Sequence, residues 1–206
     1  MKDIIILGSG GHCKVVLDCV YKNVIGIIDI NYKESSNNII LNKRVIGNID
    51  VLDKYSKSTK VIIAIGDNNI RNEYYNIIKN MGYEIISIKH KNSVISNFCK
   101  IGDGNFINAG AIINANCEIG NNCIINTKAS IDHDSSIGNN CHICPGVTIA
   151  GKVTVGDSCF IGTNSCIIPN IIIGKNVIIG AGSVVINNIS DNCKVVGVPA
   201  KIINST

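Results

Sequence analysis

The sequence predicts two folds in series: a small parallel α/β domain over residues 1–88, then an all-β prism of stacked short strands over residues 89–206, closed by a C-terminal cap. Three observations carry that reading. Isoleucine or valine recurs at every sixth residue from Ile95 to Val185, with no step skipped and no residue inserted. Glycine recurs at every eighteenth, at Gly102, Gly120, Gly138, Gly156 and Gly174. Before both, strand-like apolar runs alternate with a helical spacing of apolar residues.

In chain order, Lys2 to Leu7 is an apolar run that ends in a glycine turn, Gly8-Ser9-Gly10-Gly11-His12-Cys13. Lys14 to Lys22 places Val15, Val16, Cys19 and Val20 on one helical face. Val24 to Ile30 reads as a second strand with Asp29 near its end, and Lys60 to Ile65 as a third. Gly66-Asp67-Asn68-Asn69 then leads into a helix carrying Ile70, Tyr74, Ile77, Ile78 and Met81, and Tyr83 to Ile88 reads as a fourth strand. Alternation of this kind builds a parallel sheet flanked by helices. A glycine turn between a strand and a helix N-terminus is where such domains hold phosphate, and an acid about twenty residues on meets a ribose. Four strands are too few for a complete dinucleotide domain. A mononucleotide site, such as the nucleotide half of a nucleotide-sugar, is the expectation; a tight turn without a ligand is the alternative.

A period of six cannot stay on one face of a helix, but short strands joined by regular corners keep it. Three residues after each repeated Ile or Val from Ile101 onward the sequence reads Gly104, Gly110, Asn116, Asn122, Lys128, Asp134, Asn140, Gly146, Lys152, Ser158, Asn164, Asn170, Asn176, Gly182 and Asn188. Gly, Asn and Asp dominate, and they tolerate the left-handed backbone a sharp corner needs. Eighteen residues are three hexapeptides, so one coil is a triangle. Parallel pairing raises each coil by ~4.8 Å.

The chain has 206 residues, enough for a substantial core, and a formal net charge of +4 without a basic cluster. With 4% aromatic residues and no Trp there is little to stack on bases, so nucleic acid is not an expected partner. No run approaches the ~18 apolar residues of a membrane span, and the N-terminal apolar run is short for a signal peptide, so a cytoplasmic protein is expected. Of ten cysteines, Cys99, Cys117, Cys123, Cys141 and Cys159 fall on the small inward position of the repeat and read as core filler rather than as disulfides or zinc ligands. Cys13, in the first loop, is the one thiol that could be reactive.

Chemistry on a prism belongs at a corner, where side chains point outward. Ser130-Ile131-Asp132-His133-Asp134 puts His133 at such a corner between two acids. An imidazole oriented by a carboxylate is a general base, with Asp134 the first candidate for that carboxylate and Asp132 the second. Gly151 follows His133 by eighteen residues, one coil above, where its N–H could meet a developing oxyanion. His142 lies on another edge of the triangle and could reach this site only from a neighbouring subunit.

These segments resemble the bacterial hexapeptide acetyltransferases that modify sugars, in the branch with sialic acid O-acetyltransferases and nucleotide-linked aminosugar N-acetyltransferases. The resemblance spans the chain through GSGGH (Gly8 to His12), AIGDNNIR (Ala64 to Arg71), IDHD (Ile131 to Asp134), CHICPGVTIAG (Cys141 to Gly151) and VGVPAK (Val196 to Lys201). It implies a Rossmann-like N-terminal domain and a left-handed parallel β-helix. It also implies a homotrimer with active sites between subunits and acetyl-CoA as co-substrate. In that family the histidine matched by His133 is the base and the acid matched by Asp134 supports it. Residues matched by His142 and Gly151 contact acetyl-CoA. Those matched by Gly10, Gly11, His12, Asp29 and Gly66 hold the nucleotide-sugar. The sequence departs from the family pattern at Cys13, where Gly is usual, at Ile30, where a second Asp is common, and at Asp134, where some members have Glu.

The expected activity is therefore transfer of acetyl to the amine of a nucleotide-linked 4-amino-4,6-dideoxysugar, with UDP the nucleotide anticipated. A sialic acid hydroxyl is the alternative acceptor. Two readings of other kinds are a trimeric zinc carbonic anhydrase, which would need three converging histidines, and a non-enzymatic scaffold or nucleotide sensor.

Overall fold

A computed structural model describes residues 3–33 and 38–205. The chain separates into two compact units, Met1–Ile88 and Lys89–Thr206.

The first unit contains β1 (Ile4–Leu7), α1 (Gly11–Val20), β2 (Val24–Ile28), β3 (Ile39–Ile40), β4 (Lys43–Gly47), β5 (Lys60–Ile63), α2 (Asn68–Asn80) and β6 (Glu84–Ile85). The sheet order is β3-β4-β2-β1-β5-β6, parallel throughout except for β3, which runs antiparallel to β4. The sequence predicts four strands here, one of them Tyr83 to Ile88; six are present among the described residues, and that stretch splits into β6 and a separate pair, Ile88–Lys89. The unpredicted β3–β4 hairpin turns through Leu41 and Asn42, both with positive φ (44° and 63°). Leu-Asn is a weaker hairpin signal than Asn-Gly, which explains why the sequence hides it. Lys2, the expected start of β1, lies outside the described residues.

All four residues of β1 are fully buried, as a central strand covered on both faces requires. From β1 the chain runs outward to β2 and β4, then crosses back to β5 on the other side. The switch lies between β1 and β5, where parallel sheets leave a crevice beyond the carboxyl ends of the strands. α1 starts within the glycine turn rather than after it, and buries Cys13, Val16, Leu17 and Val20. α2 is capped by Asp67, whose Oδ1 accepts from the Asn69 and Ile70 N–H groups, each at 2.9 Å.

The second unit is the prism, a left-handed parallel β-helix. Each hexapeptide supplies a two-residue strand, and the strands form three parallel sheets. Partners across the ladder are eighteen residues apart, as in Ile113↔Ile131 and Ile131↔Ile149. The repeated residues from Ile107 to Val185 are all buried, and each such side chain contributes ~1.5–3 kcal/mol of transfer free energy. Fourteen of the fifteen expected corner residues have positive φ; Asn188 does not, because the repeat gives way there to the cap. The eighteen-residue glycines have a packing cause: a Cβ on Gly120, Gly138 or Gly156 would come within 2.8 Å of backbone in the next coil. Cys123, Cys141 and Cys159 line the interior below them and donate S–H to the carbonyls of Gly138, Gly156 and Gly174 at 3.0–3.1 Å. None of the ten cysteines forms a disulfide. Cys193–Val196 adds a last parallel strand, and Lys201–Ser205 folds back antiparallel onto it as the cap.

Candidate active site

The strand Ser130–Ile131 carries the chain into the corner Asp132-His133-Asp134. Asp134 has φ 61°, which turns its side chain back beside the imidazole. His133 Nδ1 and Asp134 Oδ2 are 2.8 Å apart. With the carboxylate accepting from Nδ1–H, Nε2 carries the lone pair. Asp132 is used differently: its Oδ1 accepts the main-chain N–H of His133 at 2.8 Å. One coil below, Asn116 Nδ2 donates to Asp134 Oδ1 and Asn114 Nδ2 to Asp132 Oδ1, both at 2.8 Å. These amides pull both carboxyl groups below the usual carboxylate value; the largest cause is Asn116 at Asp134 and Asn114 at Asp132, with His133 second in each case. Sequence reasoning passed over both asparagines. The eighteen-residue period, counted backward from each acid, points to them.

One coil above, Gly151 is buried against the ring. A Cβ there would lie 2.7 Å from both Cε1 and Nε2 of His133. The flanking amides of Ala150 and Lys152 belong to the ladder, donating to Ile167 and His133 carbonyls, whereas among the described residues the Gly151 N–H takes no part in it. A donor outside the ladder, next to the free nitrogen of a carboxylate-bound imidazole, is an arrangement suited to acyl transfer.

His142 is not brought to this corner. It stands on another face of the prism, on the strand His142–Ile143, paired with Ile124 and Phe160. Its Nε2 is 3.1 Å from Asn126 Nδ2, and its ring meets Phe160 edge-on at 5.3 Å. His90 also belongs to this unit, its N–H bonded to the Ile107 carbonyl and its Nδ1 accepting from the Asn92 N–H, so this unit holds three histidines, His90, His133 and His142. Among the described residues no group of three His, Cys, Asp or Glu could hold a metal. One CxxC spacing exists, Cys141 to Cys144; both are buried, and burial pushes the Cys144 thiol up to about 12.

In the first unit the loops after β1 and β5 lie side by side. Gly8 has φ +108°, and a Cβ would sit 2.8 Å from the Ala64 carbonyl, so the turn itself requires this glycine. At Gly10, Gly11 and Gly66 a Cβ would meet nothing within 4 Å; packing within the chain does not demand them. Gly10 provides α1 with no side-chain cap. His12 is half-buried in the first turn of the helix. Asp29 brackets the loop, its Oδ2 accepting from the Ser9 N–H at 2.9 Å and from the Ser9 hydroxyl, its Oδ1 from the Asn31 N–H at 2.8 Å. It borders a cavity of about 370 Å³ lined also by Tyr32, Lys33, Asn38 and Ile39. Ile30 packs partly against the core. Cys13 proves to be helical and fully buried, and burial, with Asp29 adding to it, pushes its thiol up to about 12, so it is not a reactive thiol.

Residues 3–78 match the PglD N-terminal domain, and residues 98–132, 116–151 and 152–187 match the bacterial transferase hexapeptide of six repeats. A mutant of perosamine N-acetyltransferase from Caulobacter crescentus, solved with CoA and GDP-perosamine, is 33% identical, with 99% of this chain and 98% of that one covered and a TM-score of 0.93. The chain belongs to the bacterial hexapeptide-repeat sugar acetyltransferases. Other members of this family are similar over nearly their full length. The acetyltransferase domain of PglB from Neisseria gonorrhoeae, in complex with acetyl coenzyme A, is 28% identical, covering 98% of this chain and 99% of that one, with a TM-score of 0.91. WeeI from Acinetobacter baumannii is 25% identical, covering 98% and 100%, also at 0.91. No curated protein matches the chain in sequence. Among the described residues no helix of this acetyltransferase is long and apolar enough to cross a membrane.

Proposed function

We propose that the protein transfers acetyl from acetyl-CoA to the amine of a nucleotide-linked 4-amino-4,6-dideoxysugar, with His133 as general base. The observation that carries this is the corner at His133: an imidazole bound through Nδ1 to Asp134, with Nε2 beside the Gly151 peptide. The amine nitrogen attacks the thioester carbonyl carbon, and its proton passes to Nε2. The oxyanion that forms is stabilised by the Gly151 N–H. As the tetrahedral intermediate collapses the C–S bond breaks, and the imidazolium returns the proton to the departing thiolate. Holding donor and acceptor together contributes much of the rate.

The first unit is the proposed acceptor site. Gly10, Gly11 and Gly66 leave room for close approach to the main chain, the uncapped N-terminus of α1 offers N–H groups to a diphosphate, and His12 and Asp29 border the same loops. His142 and Gly151 are the proposed contacts of acetyl-CoA. Because His142 and His133 stand on different faces, a shared site takes one from each of two protomers, which supports a homotrimer. The N-acetyltransferase from Caulobacter supports an amine acceptor; its ligand carries GDP, so UDP and GDP sugars are both arms of the test.

The deciding measurement is free coenzyme A release with UDP- and GDP-linked aminosugars, the bare aminosugar and free sialic acid. Expected is rapid turnover with one nucleotide-linked amine and a heavy loss of kcat/KM on removing the nucleotide, since remote binding energy positions the amine. Faster turnover of sialic acid would overturn the acceptor assignment and leave the chemistry at His133 standing.

A further inference from the structure

We infer that Asn116 is a positioning residue for the acyl-transfer base, an inference that rests on the role proposed above for His133. Asp134 lies on an open corner, with its side chain 40% exposed. A carboxylate there can rotate and trade partners with water, and its proximity to His133 in sequence does not by itself aim an oxygen at Nδ1. What aims it is an amide eighteen residues earlier. Asn116 Nδ2 holds Oδ1 at 2.8 Å, which leaves Oδ2 directed at Nδ1, also at 2.8 Å. The same device is used a second time at this corner, where Asn114 holds the Asp132 oxygen that fixes the His133 main chain. The ring and the backbone of His133 are thus each tied to a carboxylate that is tied in turn to the coil below.

Corner geometry alone does not ask for asparagine at this position. Asn116 has φ 61°, and equivalent corners are occupied by Gly104, Gly110, Gly146, Lys128, Lys152 and Ser158. The amide is the added feature. Its strongest rival explanation is the stability of the stack, because Asn176 makes a similar bond to Asn192 at 3.0 Å, far from His133 in the sequence of coils. Besides His133, the charged neighbour that acts on Asp134 is Lys152 in the coil above.

Asn116→Gly deletes the amide and keeps a residue at ease with positive φ. Asn176→Gly makes the identical backbone change elsewhere and serves as the control. Two readouts are needed. In histidine-¹⁵N-labelled protein at mildly alkaline pH, the His133 signal, identified by its loss in His133→Ala, should report one Nδ1–H tautomer in the parent and a mixture of tautomers in Asn116→Gly. In steady-state kinetics kcat should fall about tenfold with both KM values little changed, the low end of what groups orienting liganding histidines contribute in metal sites. Asn116→Asp, isosteric and also tolerant of the corner, replaces the donor with a like charge, so it should raise the Asp134 pKa and move the acidic limb of the pH–rate profile upward; it carries the test should the glycine variant not fold. A variant Asn116→Gly that loses stability as Asn176→Gly does, while keeping kcat and the single tautomer, would overturn the inference. Full turnover in His133→Ala would sink the base assignment instead, and the tautomer measurement would still judge Asn116.

Discussion

Gly151 and His133 constrain one another at atomic distance. A methyl group on Gly151 would overlap the ring edge that carries Nε2, at 2.7 Å from two ring atoms, so Gly151→Ala must displace the imidazole or the coil above it. We expect a kcat loss of about 10²-fold with the fold retained, since a misplacement of roughly 1 Å is costly in a positioned reaction. A thermal unfolding midpoint near that of the parent, measured alongside kcat, separates this from simple destabilisation. His133→Ala should lose about 10²-fold or more in kcat with acetyl-CoA binding retained. Asp134→Asn should cost less and shift the acidic limb of the pH–rate profile. The sign follows from the pKa directions. Asp134 and Asp132 are held below the ordinary value of 3.8, so both are charged at neutral pH. Whatever they add to the corner is fully present above that value and is lost only as pH falls through their lowered folded values.

At the scale of the element, the corners decide how well the coil sequence fits its backbone. Lys128 is exposed and has φ 58°, a conformation that costs an ordinary residue ~1–2 kcal/mol. Lys128→Gly should raise stability by up to about 1 kcal/mol, read as a higher denaturant midpoint, whereas the same change at an inward isoleucine such as Ile131 should cost several times that. Reducing agent should leave the melting curve unmoved, because the buried thiols pack and donate to carbonyls without forming disulfides. The repeat made the prism legible: a six-residue period with no insertion permits little else, and the corner residues announced their own backbone. The site was legible as far as residue type and coil arithmetic reach, which is why His133, Asp134 and Gly151 could be named together. Asn116 and Asn114 were hidden because an asparagine at a corner already has a backbone reason to be there. In the first unit, the β3–β4 hairpin was hidden because β3 is two residues long and its turn lacks glycine. Cys13 was misjudged for a different reason: the turn Gly8-Ser9-Gly10 looks open in sequence, but the helix begins at Gly11 and rotates that thiol into the core.

At the scale of the whole molecule the question is which residues meet. His133 is at a corner and His142 is on the outward side of a strand in another sheet, so a single prism presents them in different directions. If both serve one acetyl transfer, each site draws them from two neighbours around a closed ring, a heterologous interface repeated by cyclic symmetry. That arrangement makes a prediction that no single-chain site shares. His133→Ala and His142→Ala should each be inactive or strongly impaired as pure assemblies. When the two variants are unfolded together, mixed in equal amounts and refolded, any mixed trimer contains one junction at which an intact His133 faces an intact His142. Random mixing then restores about one quarter of the sites, and activity should recover to about that share of the parent. Sedimentation of the mixture must show trimers of unchanged mass. If the mixture stays as inactive as its components while the trimers re-form, His133 and His142 do not act across one interface, and the role proposed for His142 falls while the chemistry at His133 remains to be judged on its own variants.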